Sequence, residues 1–412
     1  MLYLFLNGCF SCMGSENQSF EKIDALVRNG LSQKAFPGCQ VVVMKNGHLI
    51  FNKSYGVMSY DDPEKVNDST LYDLASLTKI AGTLLAVMKL YDENRIDLDQ
   101  SLSHYLPFFL GSDKDSITIR QLLLHESGLP PSLNLIQKLT TKLEQEALPI
   151  GAVRYKKDFV SAQNKVGFDI PLSDSLWLKN EVRDTAIMLI KHMKKGPAKY
   201  VYSCVNFILL KEVVEHITSM KLDVYLNDIF YVPMGLKTLS FNPLKRFKKE
   251  QIAPTLKWDY IRGITIQGWV QDPDAALLGG VSGNAGLFGS AKDVAFLCQM
   301  MLNEGSWKGT EYISKETIRL FTSTVSKNGR RGLGFDRAQP GLPLSKNPCG
   351  ALAPASVYGH TGYTGTCCWI DPTNQLVYVF LSNRTYPSDK KNLLARLNIR
   401  TNIQNAIYQS MK

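Results

Sequence analysis

Apolar residues recur at helical spacing in residues 19–31, where Ile23, Leu26, Val27 and Leu31 form one stripe and predict an opening amphipathic helix. Two β-rich runs follow, residues 39–45 and 48–53, and the Asn46-Gly47 pair between them predicts a tight antiparallel hairpin. From Ile80 through Leu84, Leu85, Val87, Met88, Leu90 and Tyr91 the chain is apolar on nearly every face of a helix, the pattern of one buried in a domain interior. A short helix over residues 117–124 should stop toward Gly128 and Pro130, leaving His125 as a cap on free carbonyls. A longer helix begins at Tyr202 and runs to Val214. Near the end, β-runs at 366–370 and 376–381 are joined through Asp371-Pro372-Thr373-Asn374. A closing helix then turns Leu393, Leu394, Leu397, Ile403 and Ile407 inward.

Strands and helices at both ends with a helical middle predict an α+β fold, in which one antiparallel sheet is assembled from the two termini and interrupted by a helical lobe. The expected organisation is an N-terminal segment, 1–18, then a single domain, 19–412. Its α/β lobe would comprise about 19–108 and 285–412, and its helical lobe about 109–284, with a cleft between them. Residues 133–182 lack a clear period and read as an insertion able to border that cleft. Gly279 to Gly289 is glycine-rich but fits no phosphate loop, and reads as a tight structural crossing beside the cleft.

Composition narrows the class. With 412 residues, 44% hydrophobic and 20% charged, the chain is long enough for an ample core, and no run is apolar enough to span a bilayer. The net charge is +10, but lysines and arginines are scattered and accompany no nucleic-acid motif, so no nucleic-acid partner is expected. Eight cysteines do not make a disulfide framework here. Cys367-Cys368 should point to opposite faces of a strand, and no Cys/His cluster has zinc spacing, so neither a metal nor a cofactor is assigned. Cys9 and Cys12 read either as a metal or redox pair or, with Leu6-Asn7-Gly8, as the remnant of a lipoprotein signal. The second reading favours an extracytoplasmic location, periplasmic or lipid-anchored.

Candidate chemistry centres on Ser76-Leu77-Thr78-Lys79. Ser-x-x-Lys occurs three times, but only this copy leads into an apolar helix. Positions three apart share a helix face, so the hydroxyl and the amine can meet, and the unpaired N–H groups of the first turn can hold an oxyanion. To act as a base the lysine must be uncharged. At its reference pKa of ~10.4 that costs roughly 4.6 kcal/mol at neutral pH, which burial would have to supply.

With Ser76-Leu77-Thr78-Lys79, Tyr202-Ser203-Cys204 and His360-Thr361-Gly362 in this order, the chain resembles the penicillin-recognising serine hydrolases. It is most similar to the branch holding class C β-lactamases, D-alanyl-D-alanine peptidases and esterases. Residues 119–130 and 359–366 carry supporting stretches, and the likeness covers roughly residues 20 to 410. It implies a β-lactamase/transpeptidase-like fold and a serine acyl hydrolase forming an acyl-enzyme on Ser76. Lys79 and Tyr202 would manage the proton, and the N–H groups of Ser76 and Tyr363 would form the oxyanion hole. Cys204, His360, Thr361 and Gly362 would border the substrate. The implied partner is a small ester, amide or D-amino-acid peptide, including peptidoglycan-derived ones; a β-lactamase or a catalytically silent penicillin or wall-peptide binder is the alternative. Histidine stands where many relatives have lysine, which predicts a charge titrating near neutral pH. Cys204 stands where asparagine or aspartate is expected, and both departures argue against an efficient β-lactamase.

Overall fold

The computed structural model describes residues 10–141, 154–327, 330–344 and 346–411. Six strands form its main sheet: β1 (Gly38–Lys45), β2 (His48–Gly56), β3 (Asp336–Arg337), β4 (Tyr358–Thr361), β5 (Cys367–Asp371) and β6 (Leu376–Ser382). They are antiparallel in the order β3-β4-β5-β6-β1-β2. The central pairing joins the two ends of the chain, with Gln40 opposite Leu381 and Val42 opposite Val379. The β1–β2 hairpin turns as expected at Asn46 (φ +51°) and Gly47 (φ +79°), both left-handed, the conformation that a two-residue turn between twisted strands requires.

The helices that position the site are α1 (Phe10–Ser32), α2 (Leu84–Asp92), α3 (Cys204–Thr218), α4 (Ala291–Leu302) and α5 (Ile399–Ser410). α1 begins at Phe10, inside the segment expected to precede the domain. The stretch proposed as a signal remnant, up to Cys9, lies outside the described residues. α1 and α5 cover the outer sheet face, where Ile23, Val27, Ile403 and Ile407 bury against Val41, Val43 and Phe380. The closing helix is broken at Asn398 (φ +52°), which separates Leu393–Arg396 from α5 and leaves Leu393 and Leu397 only half-buried. Alternation along the strands sends Cys367 to this outer core and Cys368 to the inner one, both as free thiols.

The inner core is continuous. It runs from Val42, Val379 and Leu381 past α4 to Leu84, Leu85 and Val87 of α2 and Val205, Phe207 and Leu209 of α3. Each such side chain contributes about 1.5–3 kcal/mol on burial, so α2 is held by packing on all sides rather than by propensity. The glycine-rich segment is the tight crossing its composition predicted. A Cβ at Gly283 would come within 1.8 Å of the Phe207 carbonyl in α3, and Thr83 donates to the Gly283 carbonyl at 2.8 Å. Among the described residues no helix is long and apolar enough to cross a membrane.

Candidate active site

Ser76 stands at the end of a tethered turn. Short strand Tyr72–Asp73 pairs with Leu287–Gly289, after which Ala75 takes a left-handed φ of +47°. A non-glycine residue there costs on the order of 1–3 kcal/mol and persists only where its surroundings hold it. They do so here: the Asp73 carboxylate accepts from the Ala75 N–H at 2.8 Å and from the Gln271 N–H at 2.7 Å. Thr364 and Thr366 donate to the carbonyls of Asp73 (2.7 Å) and Leu74 (3.0 Å). Residues Ala75–Leu77 form a 3-10 turn and Lys79–Thr83 a π turn that leads into α2, in place of the single α-helix expected. Ser76 lies in the first turn and Lys79 opens the second, and Lys79 Nζ donates to Ser76 Oγ at 3.0 Å.

Asp73 is fully buried, and burial lifts its carboxyl from 3.8 to about 6 despite the two N–H donors. As pH falls through about 6 its charge is lost and its grip on the Ala75 turn weakens. Activity is therefore expected to decline below about pH 6, and Asp73→Asn should replace this acid limb with a lower, flat profile; kcat/KM against pH measures both. The carboxyl's contribution to folding has the opposite sense, being present below 3.8 and lost as pH rises through about 6. A Tm series separates the two.

Lys79 is completely buried, but it is not the uncharged amine that the sequence argument required. Its Nζ donates to three acceptors: Ser76 Oγ, the Asn284 carbonyl at 3.0 Å and Cys204 Sγ at 3.5 Å. That is the full complement of an ammonium. Burial opposes the charge, but the fields of the Cys204 sulfur, the Tyr202 oxygen and the Asp272 carboxylate outweigh it and raise the amine above its ordinary value.

Tyr202 precedes α3 and points its hydroxyl at Ser76 Oγ, 3.2 Å away. Its segment is strapped to the turn after the Ile119–Leu123 helix: Val201 donates to the His125 carbonyl (2.9 Å) and Cys204 to that of Pro131 (2.8 Å). His125 does not cap carbonyls with its ring. It is buried with Nδ1 accepting the Ser203 N–H at 3.1 Å, and its ring lies 4.7 Å from that of Tyr202. Burial first, then the charges of Arg331 and Lys79, keep it neutral.

His360, on β4, departs from expectation. It is only 2% exposed, its Nε2 lies 3.3 Å from Arg331, and burial together with the Arg331 guanidinium pushes it well below the ordinary histidine range. It is neutral near pH 7, so the titrating charge expected of it is absent. The fixed cation at this position is Arg331, whose guanidinium carbon lies 5.0 Å from the Tyr202 ring centre. His360 lines the smaller cavity beside Ser76 and Tyr202, with its side chain almost wholly buried. Thr361 is half-buried at the cavity wall, and Gly362 packs so closely that a Cβ would meet Leu74 O at 2.7 Å. Tyr363 is 52% exposed, its hydroxyl donating to Asp389 at 3.0 Å.

Two cavities meet at Ser76, Tyr202 and Tyr363. The larger, about 800 Å³, is walled by Cys204, Trp258, Tyr260 and Asp272. None of the described residues in 133–182 lines it, contrary to expectation. The insertion acts one step removed, with the Tyr155 hydroxyl donating to the Ile261 carbonyl (2.9 Å) behind the Trp258 wall. The smaller cavity, about 450 Å³, runs along β4 past Arg331 and Thr361. The arrangement offers a nucleophilic hydroxyl, a phenol in contact with it and a buried cation beside both. Sequence reasoning missed Asp73, Arg331, Thr364 and the Asn284 carbonyl; Asp73 alone had a local signal, since an aspartate two residues before a turn position forms an Asx-turn.

The sequence model of the family described as Beta-lactamase matches residues 23–401. The chain belongs to the β-lactamase family. Within it, a putative D-alanyl-D-alanine carboxypeptidase of Salmonella schwarzengrund (strain CVM19633) is 31% identical over 404 residues, covering 91% of this chain and 84% of that protein. The fold is shared with EstCE1, a hydrolase with promiscuous acyltransferase activity (TM-score 0.68, 17% identity, 96% of this chain and 99% of that one). It is also shared with a penicillin-binding protein homologue from Caulobacter crescentus (TM-score 0.67, 19% identity, 95% and 97%). This family member is accordingly a serine hydrolase with the β-lactamase/transpeptidase-like α+β fold.

Proposed function

We propose that this β-lactamase-family chain hydrolyses a small ester, amide or D-amino-acid peptide through an acyl-enzyme on Ser76. The observation that carries the reading is the position of Ser76 Oγ, within hydrogen-bond reach of both Lys79 Nζ (3.0 Å) and Tyr202 Oη (3.2 Å) where two cavities join. Lys79 has every donor engaged, so it acts as a fixed charge. The Ser76 proton leaves by way of the Tyr202 hydroxyl, with the Lys79 ammonium and Arg331 guanidinium 5.2 and 5.0 Å from the ring centre. Oγ bonds to the carbonyl carbon, and the oxyanion rests on the N–H groups of Ser76 and Tyr363, the latter with no acceptor among the described residues. Tyr202 then returns the proton to the leaving oxygen or nitrogen as its bond to carbon breaks, and a water repeats the sequence to release the acid.

The aromatic cleft suits the acyl part and the smaller cavity the leaving group. The name of the Salmonella relative supports D-alanyl-D-alanine carboxypeptidase activity, and that of EstCE1 supports ester hydrolysis. Cys204 lacks the amide donor that a β-lactam side chain would use, which disfavours β-lactam turnover. A wall-derived peptide substrate places the working protein outside the cytoplasm. The test is trapping: after mixing with a fluorophosphonate, a penicillin or an activated ester, intact-mass analysis should find one adduct on the peptide holding Ser76, and the ester adduct should decay with product release. An adduct elsewhere, or none, removes the assignment; a penicillin adduct with no turnover of any ester or peptide makes the protein a binder.

A further inference from the structure

The smaller cavity holds more positive charge than a single carboxylate can neutralise. Arg330, Arg331, Arg384 and Arg400 all line it, against one carboxylate, Asp336. Arg330 and Arg331 share that carboxylate at 3.2 and 3.6 Å. Arg384 lies 4.5 Å above the Tyr363 ring, and Arg400 donates to the Thr366 carbonyl at 2.8 Å. Among the described residues, neither of the last two forms an ion pair. Burial and the charge of Arg400 hold Arg384 below its ordinary range, although Tyr363 and the Asp389 carboxylate behind it favour its charge. Guanidiniums brought together with too little counter-charge are stabilised by an anion in their midst. The space continues beyond Arg330, Thr361 and Arg400 into a further cavity of about 560 Å³ that adds Lys346. A ligand there can be longer than one amino acid with one carboxylate.

We propose that this cavity selects a leaving group bearing two anionic groups, as an amino dicarboxylate or a phosphorylated hydroxy acid does. The inference rests on the assignment of the smaller cavity to the leaving group. One anion would sit between Arg331 and Thr361, next to Tyr202, and the second would reach Arg384 and Arg400.

The test uses esters of N-acetyl-D-alanine that differ only in the leaving alcohol: methanol (neutral), D-lactate (one charge), D-malate and 3-phospho-D-glycerate (more than one). kcat/KM is expected to rise about tenfold or more from lactate to malate and to lose most of that gain in high salt. The malate-to-lactate ratio should fall about tenfold in Arg400→Gln and recover in Arg400→Lys; Arg384→Gln replaces it if the first variant does not fold. A phosphoglycerate ester outrunning malate assigns the second charge to phosphate. Lactate matching or exceeding both overturns the proposal, as does an unchanged ratio in the arginine variants. Methyl ester turnover that depends on Ser76 tests the hydrolase reading separately. Binding of N-acetyl-D-aspartate and N-acetyl-D-alanine to Ser76→Ala, by calorimetry, reads selectivity without chemistry, and equal affinities also overturn it.

Discussion

Ser76→Ala is expected to lower kcat by about 10⁴-fold or more on any substrate of this site, leaving only what orientation and the backbone donors supply. In the proposed reaction the hydroxyl oxygen is the atom that bonds to carbon, and no neighbouring group can substitute for it. Lys79 is an ammonium with no lone pair to offer, and the Cys204 sulfur accepts from Lys79 with its thiol raised above the ordinary range by burial. Ser76 is half-buried and its hydroxyl meets only Lys79 and Tyr202, so the loss of stability should stay within about 1 kcal/mol. Steady-state rates corrected for background, with a Tm for each protein, measure both. Residual turnover above about 1% of wild type would locate the nucleophile elsewhere.

Tyr202→Phe and Lys79→Met are the next largest effects, each expected to reduce kcat/KM by about 10²–10⁴-fold. They act as one device, because the phenol moves the proton while the ammonium stabilises the negative charge left behind. The double variant should therefore lose far less than the product of the single losses. Multiplicative losses would mean independent roles and would undo the proton path through Tyr202. The two singles should also differ in stability. Lys79→Met strands the Asn284 carbonyl that the ammonium had satisfied, at a cost of about 1–3 kcal/mol, while Tyr202→Phe removes a hydroxyl facing the cavity and costs less.

The fold was legible where local chemistry decides it. Asn46-Gly47 can turn a hairpin in few ways, and the all-apolar run from Ile80 has nowhere to lie but inside. Ser76 and Lys79 were found from spacing and Tyr202 from the family resemblance, and their side chains do converge. What the sequence concealed were charges and walls set by remote neighbours. Whether Lys79 carries a proton depends on a sulfur from α3 and a carbonyl from the glycine-rich crossing; no window around residue 79 contains either. His360 is neutral because it is buried and because the Arg331 guanidinium lies against it, tertiary facts with no local signature. The insertion at 133–182 was misjudged because an aperiodic polar stretch shows that it is on the surface but not which surface it touches. The true wall, around Trp258 and Tyr260, offered no pattern at all.

The threonines that clasp the two carbonyls just before the Ala75 kink lie 291 and 292 positions further along the chain, and the guanidinium that steadies Thr366 comes from α5. A ribosome-bound or truncated chain lacking those residues would have the Ser76 segment without the clasp that aims it. The serine is thus aimed only once a strand and a helix distant in sequence have docked, which ties its geometry to completion of the fold.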